Sequence, residues 1–387
     1  MITFFFTYND VGGVQVLILN LMRELFRNNI RTKLIYHENS WLTNELDKSG
    51  VSYEFFNIEN VNKKELDEFI QHDDIVVTIM LFKELIFFRR INPHMLFWSV
   101  YPNALGSLKN DFKIHTKFIR KLLIKKMLRK SGLVFMDNEG VKFIENQFGL
   151  DISPHYLPIP ISIGDENQFL ARQNIRGNII NITYLGRAVD WKVFPVMKVI
   201  NDINKSGDKI KDIVLHIITD DPVEFEALMG TSRPDFEIKF YSCLSGDELR
   251  NFLVSKSDLH IAMGTSCLEG SSLGIPTILI DFSFKEFPED YLYRWIFENE
   301  KNCLGEFLDS SSRINSGHTL SEILSKYGTE ELQVISESCF KYTGQNHSLA
   351  SVAKEFMTSC FSSDLKINDV LYNDLLYFKL LLMTNYK

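Results

Sequence analysis

Three short stretches carry the side chains best placed to do chemistry. In "YLGRAVDWK", Tyr184 to Lys192, Arg187 and Lys192 stand five positions apart across a loop that opens a helix. From there both reach one phosphate group, the guanidinium as a fork and the ammonium as a point charge. In "GTSCLEGSSLGIPTILID", Gly264 to Asp281, one carboxylate, Glu269, stands among small residues ahead of Gly-x-Pro and an apolar run. A carboxylate accepts two hydrogen bonds from adjacent hydroxyls, so Glu269, with Thr265 and Ser266 beside it, suits the diol of a ribose. In "NDVGG", Asn9 to Gly13, Gly12 and Gly13 let the backbone approach a ligand where a helix N-terminus offers free N–H groups to an anion. Each stretch also has a plainer reading: a tight turn, two solvated cations, or a Glu favoured by a helix dipole.

Such loops need a strand to end before them and a helix to begin after them. Apolar runs of strand length alternate with helix-length segments from the start: "ITFFFTY", "GVQVLILNLMRELFRN", "TKLIYH", "WLTNELDKSG", "DIVVTIM", "HMLFWSVY". Strands covered by helices on both faces read as continuous apolar runs, and these do. The pattern breaks before residue 179 and restarts with "IINITYLG", "DIVLHIIT", "FEIKFYS", "DLHIAM" and "TILIDF". The expected architecture is α/β: two Rossmann-like doubly wound domains facing a cleft, 1–160 and 179–363, with a linker at 161–178 and a C-terminal helix at 364–387 packing back on the first domain. Ligands of such sheets bind beyond the carboxyl ends of the strands, where all three stretches fall.

Composition narrows the class. At 387 residues the chain holds two ordinary cores, and 45 % hydrophobic with 24 % charged residues is usual for a globular protein. A net charge of -8 removes the general basic footprint that nucleic acid requires. The five cysteines, at 243, 267, 303, 339 and 360, lack C-x-x-C spacing and read as reduced thiols of a cytoplasmic protein. "MITFFFTYNDVGG" has no basic n-region and reads as a first strand rather than a signal peptide. No apolar run reaches the roughly 18 residues of a spanning helix, and no His/Asp cluster points to a metal.

In this order and spacing the three stretches resemble the GT-B glycosyltransferases, nucleotide-sugar enzymes built from two Rossmann-like domains around a cleft. The resemblance covers roughly residues 1 to 282 and is strongest in the second half. It implies that the Gly12–Gly13 loop lies near the donor, that Arg187 and Lys192 of "GRAVDWK" bind its diphosphate, and that Glu269 of "EGSSLGIP" holds its ribose. It also implies a metal-independent reaction with no cofactor beyond the nucleotide sugar. The chain departs from the pattern at Ile261, where many retaining members carry a second Glu, and at "TDD", Thr219 to Asp221, where Gly-x-Gly is common. Retention of configuration therefore does not carry over.

An inverting reaction needs a general base from the first domain. Asp10 is the best-placed carboxylate, with His37 and Glu38 of "YHENS" as alternatives. Between 109 and 130 nine Lys or Arg face one acid. Phe118, Ile119, Leu122, Leu123 and Met127 are interleaved among them, which suits an anionic membrane surface as well as it suits a core helix with a basic rim. The expected function is transfer of a sugar from a nucleotide-diphosphate donor to a saccharide, lipid-linked acceptor in bacterial surface polysaccharide synthesis, at the inner face of the membrane. A nucleotide-sugar epimerase of the same fold and a catalytically silent nucleotide-binding subunit are the rivals.

Overall fold

The computed structural model of the chain describes residues 1–9, 12–60, 62–79, 83–102, 104–106, 109, 117–164, 179–206, 212–230, 234–242, 244–299, 301–308 and 316–371. It divides into two units, residues 1–160 together with the chain from 349 onward, and residues 161–348.

The first unit is built on β1 (Ile2–Phe5), α1 (Gly13–Arg27), β2 (Thr32–Tyr36), α2 (Trp41–Lys48), β3 (Glu54–Asn57), α3 (Lys63–Phe69), β4 (Ile75–Thr78), β5 (His94–Ser99), α4 (Lys117–Arg129), β6 (Leu133–Phe135) and α5 (Asn138–Phe148). Its six strands are all parallel, in the order β3-β2-β1-β4-β5-β6. Every residue of β1, β2 and β4 is buried, as suits central strands covered on both faces, including Lys33 of β2, whose ammonium pairs with Asp74 Oδ2 at 2.8 Å. The order reverses direction at β1, so the loop after β1 stands at the switch point of this sheet.

The second unit contains β7 (Ile179–Leu185), α6 (Asp190–Ser206), β8 (Asp212–Thr219), α7 (Pro222–Met229), β9 (Glu237–Ser242), α8 (Gly246–Lys256), β10 (Leu259–Ala262), α9 (Thr265–Ser271), β11 (Thr277–Leu279), β12 (Arg294–Trp295), α10 (Leu320–Ser325) and α11 (Glu330–His347). The sheet runs β12-β11-β10-β7-β8-β9, parallel except for the short edge strand β12. Here the order reverses at β7. The loops after β7, β8 and β10, three neighbouring strands, therefore end side by side.

The return to the first unit begins at Leu349, ahead of the position 364 expected from sequence. Helix α12 (Leu349–Ser362) carries Val352, Ala353, Phe356 and Cys360 into the first core, with Phe356 stacked 5.7 Å from Phe4. That apolar stripe matches the first sheet, and burial decides which unit the helix joins. After it, Leu365 packs where a Cβ on Gly132 would lie 2.3 Å away, and α13 (Ile367–Leu371) buries Ile367, Val370 and Leu371 in the same core. Of the expected linker, residues 161–164 belong with the second unit: Ile161 donates to His347 O at 2.7 Å and Gly164 to Ser272 O at 2.9 Å. Residues 165–178, and 372–387 of the expected terminal helix, lie outside the described residues.

Helix α4 corrects one expectation. Leu123 and Met127 do not face outward; with Ile124 they enter the first core, and Ile119 packs against it. Phe118 and Leu122 are left outside, 66 % and 50 % exposed. Among the described residues no helix is long and apolar enough to cross a membrane. Cys267, Cys303, Cys339 and Cys360 are buried, and Cys243 lies outside the described residues.

Candidate functional site: the strand ends of the second sheet

Strand β7 ends at Leu185, and the next residue can only be small. An added Cβ on Gly186 would stand 2.8 Å from the Tyr184 ring, whose hydroxyl donates to Lys192 O at 2.9 Å. Tyr184 thus ties the strand to the first turn of α6. The loop is pinned from the neighbouring strand as well: Ala188 N–H donates to Asp220 Oδ1 at 2.7 Å. Thr219 Oγ1 and the Asp221 N–H donate to the same oxygen at 3.1 and 3.2 Å. These hydrogen bonds hold the Asp220 carboxyl below its ordinary pKa, although partial burial, the largest influence, pushes the other way. Asp221 caps α7 through bonds from Val223 N and Glu224 N. The "TDD" stretch is therefore an anchor and a cap.

On this frame Arg187 is exposed and Lys192 is buried, only 9 % accessible. Among the described residues no carboxylate lies within 4.0 Å of the Lys192 ammonium, which stands 5.3 Å from the centroid of the Trp191 ring. Burial first, and then the positive charge of Arg187, bring its pKa down from 10.5 to about 8, against a weaker upward pull from Asp220. A buried lysine whose charged form is disfavoured, beside an arginine, is short of negative charge. An anion held by both would supply it.

The Glu269 segment is organised by His260 of β10. This ring is fully buried, with Nδ1 2.9 Å from Thr183 Oγ1 and Nε2 2.9 Å from Ser266 O. Nε2–H must donate to that carbonyl, so Nδ1 accepts from the threonine hydroxyl. Burial pushes the pKa of His260 down to about 4, so the ring is neutral. An added Cβ on Gly270 would lie 2.4 Å from His260 Cδ2, and Ser271 accepts from Thr343 Oγ1 at 2.7 Å. Gly270 and Ser271 are thus small for the protein's own packing, not to admit a nucleotide. Gly264, at φ +63°, makes the sharp turn into α9, with its N–H on Leu304 O at 2.6 Å.

Glu269 is the fifth of seven residues of α9 rather than at its start, so the helix dipole does not explain it. Its side chain is half-buried, and among the described residues its carboxylate has no hydrogen-bond or ion-pair partner. Burial raises its pKa, and the charge of Arg250 partly counters that. Thr265 is exposed and Ser266 half-buried on the first turn, whose N–H groups have no acceptor within the helix.

In the first unit, Gly12 is the N-cap of α1 and Gly13 its first residue. The backbone at Gly12 is extended, which any residue adopts, and a Cβ on Gly13 would meet nothing within 4 Å. Among the described residues neither glycine is required by the protein's own packing, a Cβ on Gly12 meeting only Gln15 Oε1 at 3.6 Å. His37 has both ring nitrogens within hydrogen-bond distance of protein oxygens, Nε2 with Thr7 O at 2.8 Å and Nδ1 with Glu59 Oε1 at 2.9 Å, which ties the loop after β1 to the segment at Glu59. Glu38 is exposed and accepts from Asn57 Nδ2 at 3.1 Å. Asp10 lies outside the described residues. The sequence offers Asp220 only within "TDD" and gives His260 no role. An Asp just past a strand adjoining the Arg loop was the available sign of the first, and a His inside an apolar strand facing a Gly ten positions on was that of the second.

No protein-family profile and no curated protein sequence matches the chain. Solved structures do match in fold. Anabaena Alr3699/HepE, crystallised with UDP and glucose, superposes with a TM-score of 0.58 at 10 % identity, covering 93 % of this chain and 99 % of that one. Sucrose-phosphate synthase from Thermosynechococcus elongatus gives 0.53 at 9 % identity over 92 % and 97 %. WaaG, a glycosyltransferase involved in lipopolysaccharide biosynthesis, gives 0.50 at 12 % identity over 94 % and 100 %. The chain has the two-unit α/β architecture of these structures, the GT-B fold.

Proposed function

We propose that the protein is a glycosyltransferase that binds a nucleotide-diphosphate sugar at the strand ends of the second sheet and passes the sugar to a saccharide acceptor. The observation that carries this reading is Lys192, a buried cation with no carboxylate partner among the described residues, set beside Arg187 at a switch point. Arg187 and Lys192 bind the diphosphate and stabilise the charge that grows on it as the glycosidic bond breaks, so no metal is invoked. The carboxylate of Glu269, without a hydrogen-bond partner among the described residues, accepts from the ribose diol. HepE is described in complex with UDP and glucose, which agrees with such a donor.

Thermal unfolding with UDP, GDP, CDP and ADP tests this. One diphosphate should stabilise the native chain, by about 2.7 kcal/mol at a hundredfold excess over Kd, and Arg187→Ala should abolish the shift. No shift with any of the four, or one that survives in Arg187→Ala, would sink the reading.

For the acceptor, the exposed pair Phe118 and Leu122 favours a lipid-linked saccharide of bacterial surface polysaccharide synthesis. They lie on α4 among exposed Lys117, Lys125 and Arg129, and cations beside apolar side chains suit an anionic bilayer. The chain should co-sediment with phosphatidylglycerol vesicles and not with phosphatidylcholine vesicles. Phe118→Ala with Leu122→Ala should release it, and equal sedimentation of wild type and variant would remove the membrane from this account.

A further inference from the structure

At the same end of the second sheet lies a row of aromatic rings that the diphosphate and diol contacts leave unused. Trp191, on the first turn of α6, meets Phe282 edge-on at 5.8 Å; Phe282 meets Phe307 at 5.5 Å; Phe307 meets Phe284 at 6.0 Å. The row starts at the Lys192 ammonium, through its contact with Trp191. Main chain holds its middle in place: Phe282 N–H donates to Glu306 O at 3.0 Å and Leu308 N–H to Phe282 O at 2.9 Å. Gly305, at φ +121°, lets that segment lie against the end of β11, where an added Cβ would stand 3.1 Å from Ile280 O. Phe284 and Phe307 are nevertheless 55 % and 45 % exposed.

Large apolar side chains fixed in solvent next to a ligand site mark a surface that something covers. A lipid tail would fit a continuous apolar groove. Here charges interrupt the rings, with Lys285 and Glu286 exposed after Phe284 and Glu306 half-buried before Phe307. A pyranose has C–H groups on its faces and hydroxyls at its edges, and matches this alternation of ring and charge. Continuity with Lys192 places the sugars next to the anion site. Three ring-to-ring steps exceed what a single sugar covers.

We propose that Trp191, Phe282, Phe307 and Phe284 form a stacking platform for the sugar rings of an oligosaccharide acceptor, extending outward from the Arg187–Lys192 site. This rests on the glycosyltransferase reading. The test uses the whole chain on an array of immobilised oligosaccharides, comparing wild type with Phe284→Ala/Phe307→Ala, whose exposed positions spare the core. Wild type should retain a subset of the array, the double variant should lose that binding by about tenfold or more, and its unfolding shift with nucleoside diphosphate should stay as in wild type. Retention of no oligosaccharide by wild type, or equal retention by both, overturns the platform. Binding to phosphatidylglycerol vesicles that the two substitutions abolish would assign the row to lipid and overturn it too. Phenylalanine-dependent oligosaccharide binding without any diphosphate shift would sink the donor reading and leave the platform standing; the converse pattern would do the reverse.

Discussion

Replacing Lys192 by methionine, which keeps most of the buried stem, should weaken nucleoside diphosphate binding about 10- to 100-fold, the worth of a hydrogen bond to a charged group. It should also lower kcat for sugar transfer by about 10²–10³, because the charge on the departing diphosphate is largest in the transition state. The pH dependence makes the assignment specific. Burial and the charge of Arg187 bring Lys192 to a pKa of about 8 in the free protein. An anion favours its charged form, so affinity is full below pH 8 and falls as pH rises through 8, by up to about tenfold per unit. Without ligand the sign reverses. The unfolded chain keeps its lysine protonated up to about 10.5, so the buried charge opposes folding in full below pH 8, and that cost is relieved between 8 and 10.5. Calorimetric titration of UDP at pH 7, 8 and 9, with unfolding curves at the same pH values, should show both trends in wild type and neither in Lys192→Met. Identical pH profiles in the two proteins would take Lys192 out of the anion site.

What made this site legible in the sequence is that its parts are local. A strand that must be buried on both faces declares itself as an apolar run, and the residues just past its end are fixed by chain connectivity alone. Arg187, Lys192 and Glu269 could therefore be placed without knowing any tertiary contact. The reasons for their neighbours could not. Gly270 shows in the sequence only as one of the small residues around Glu269, and that His260, ten positions earlier, takes up the space beside it is a tertiary contact. Asp220 shows in the sequence only as part of "TDD", and the role of its carboxylate in holding Ala188 of the adjacent loop is a tertiary contact. The unit boundary was hidden for a related reason. Helices α11 and α12 meet at Ser348 with no Gly or Pro between them, and only the core that each apolar stripe enters separates them. On α4 a mixed pattern of Leu, Ile and Lys left two inward faces possible. Packing against the first core chose the one that excludes Phe118 and Leu122.

Substituting Glu269 by glutamine should cost UDP, or whichever ribonucleoside diphosphate stabilises the chain, about tenfold or more in affinity. It should cost the 2′,3′-dideoxy analogue nothing. The carboxylate is half-buried, without a protein partner among the described residues, and an ionised acceptor binds a hydroxyl more strongly than an amide does. Its pKa is raised by burial, with Arg250 pulling it back. As pH falls into that raised range the carboxylate takes a proton and loses its advantage over glutamine. Affinity for the ribonucleotide should therefore fall on the acid side in wild type and not in Glu269→Gln. Together with Lys192 this gives binding two independent limbs, an acid one owned by the diol and an alkaline one owned by the diphosphate. The dideoxy analogue should keep the alkaline limb and lack the acid one, which separates the two groups within a single protein. An acid limb that persists with the dideoxy analogue would mean that Glu269 does not read the diol. Its carboxylate would then act only on the charge of Arg250, whose guanidinium donates to Ser162 O at 3.4 Å.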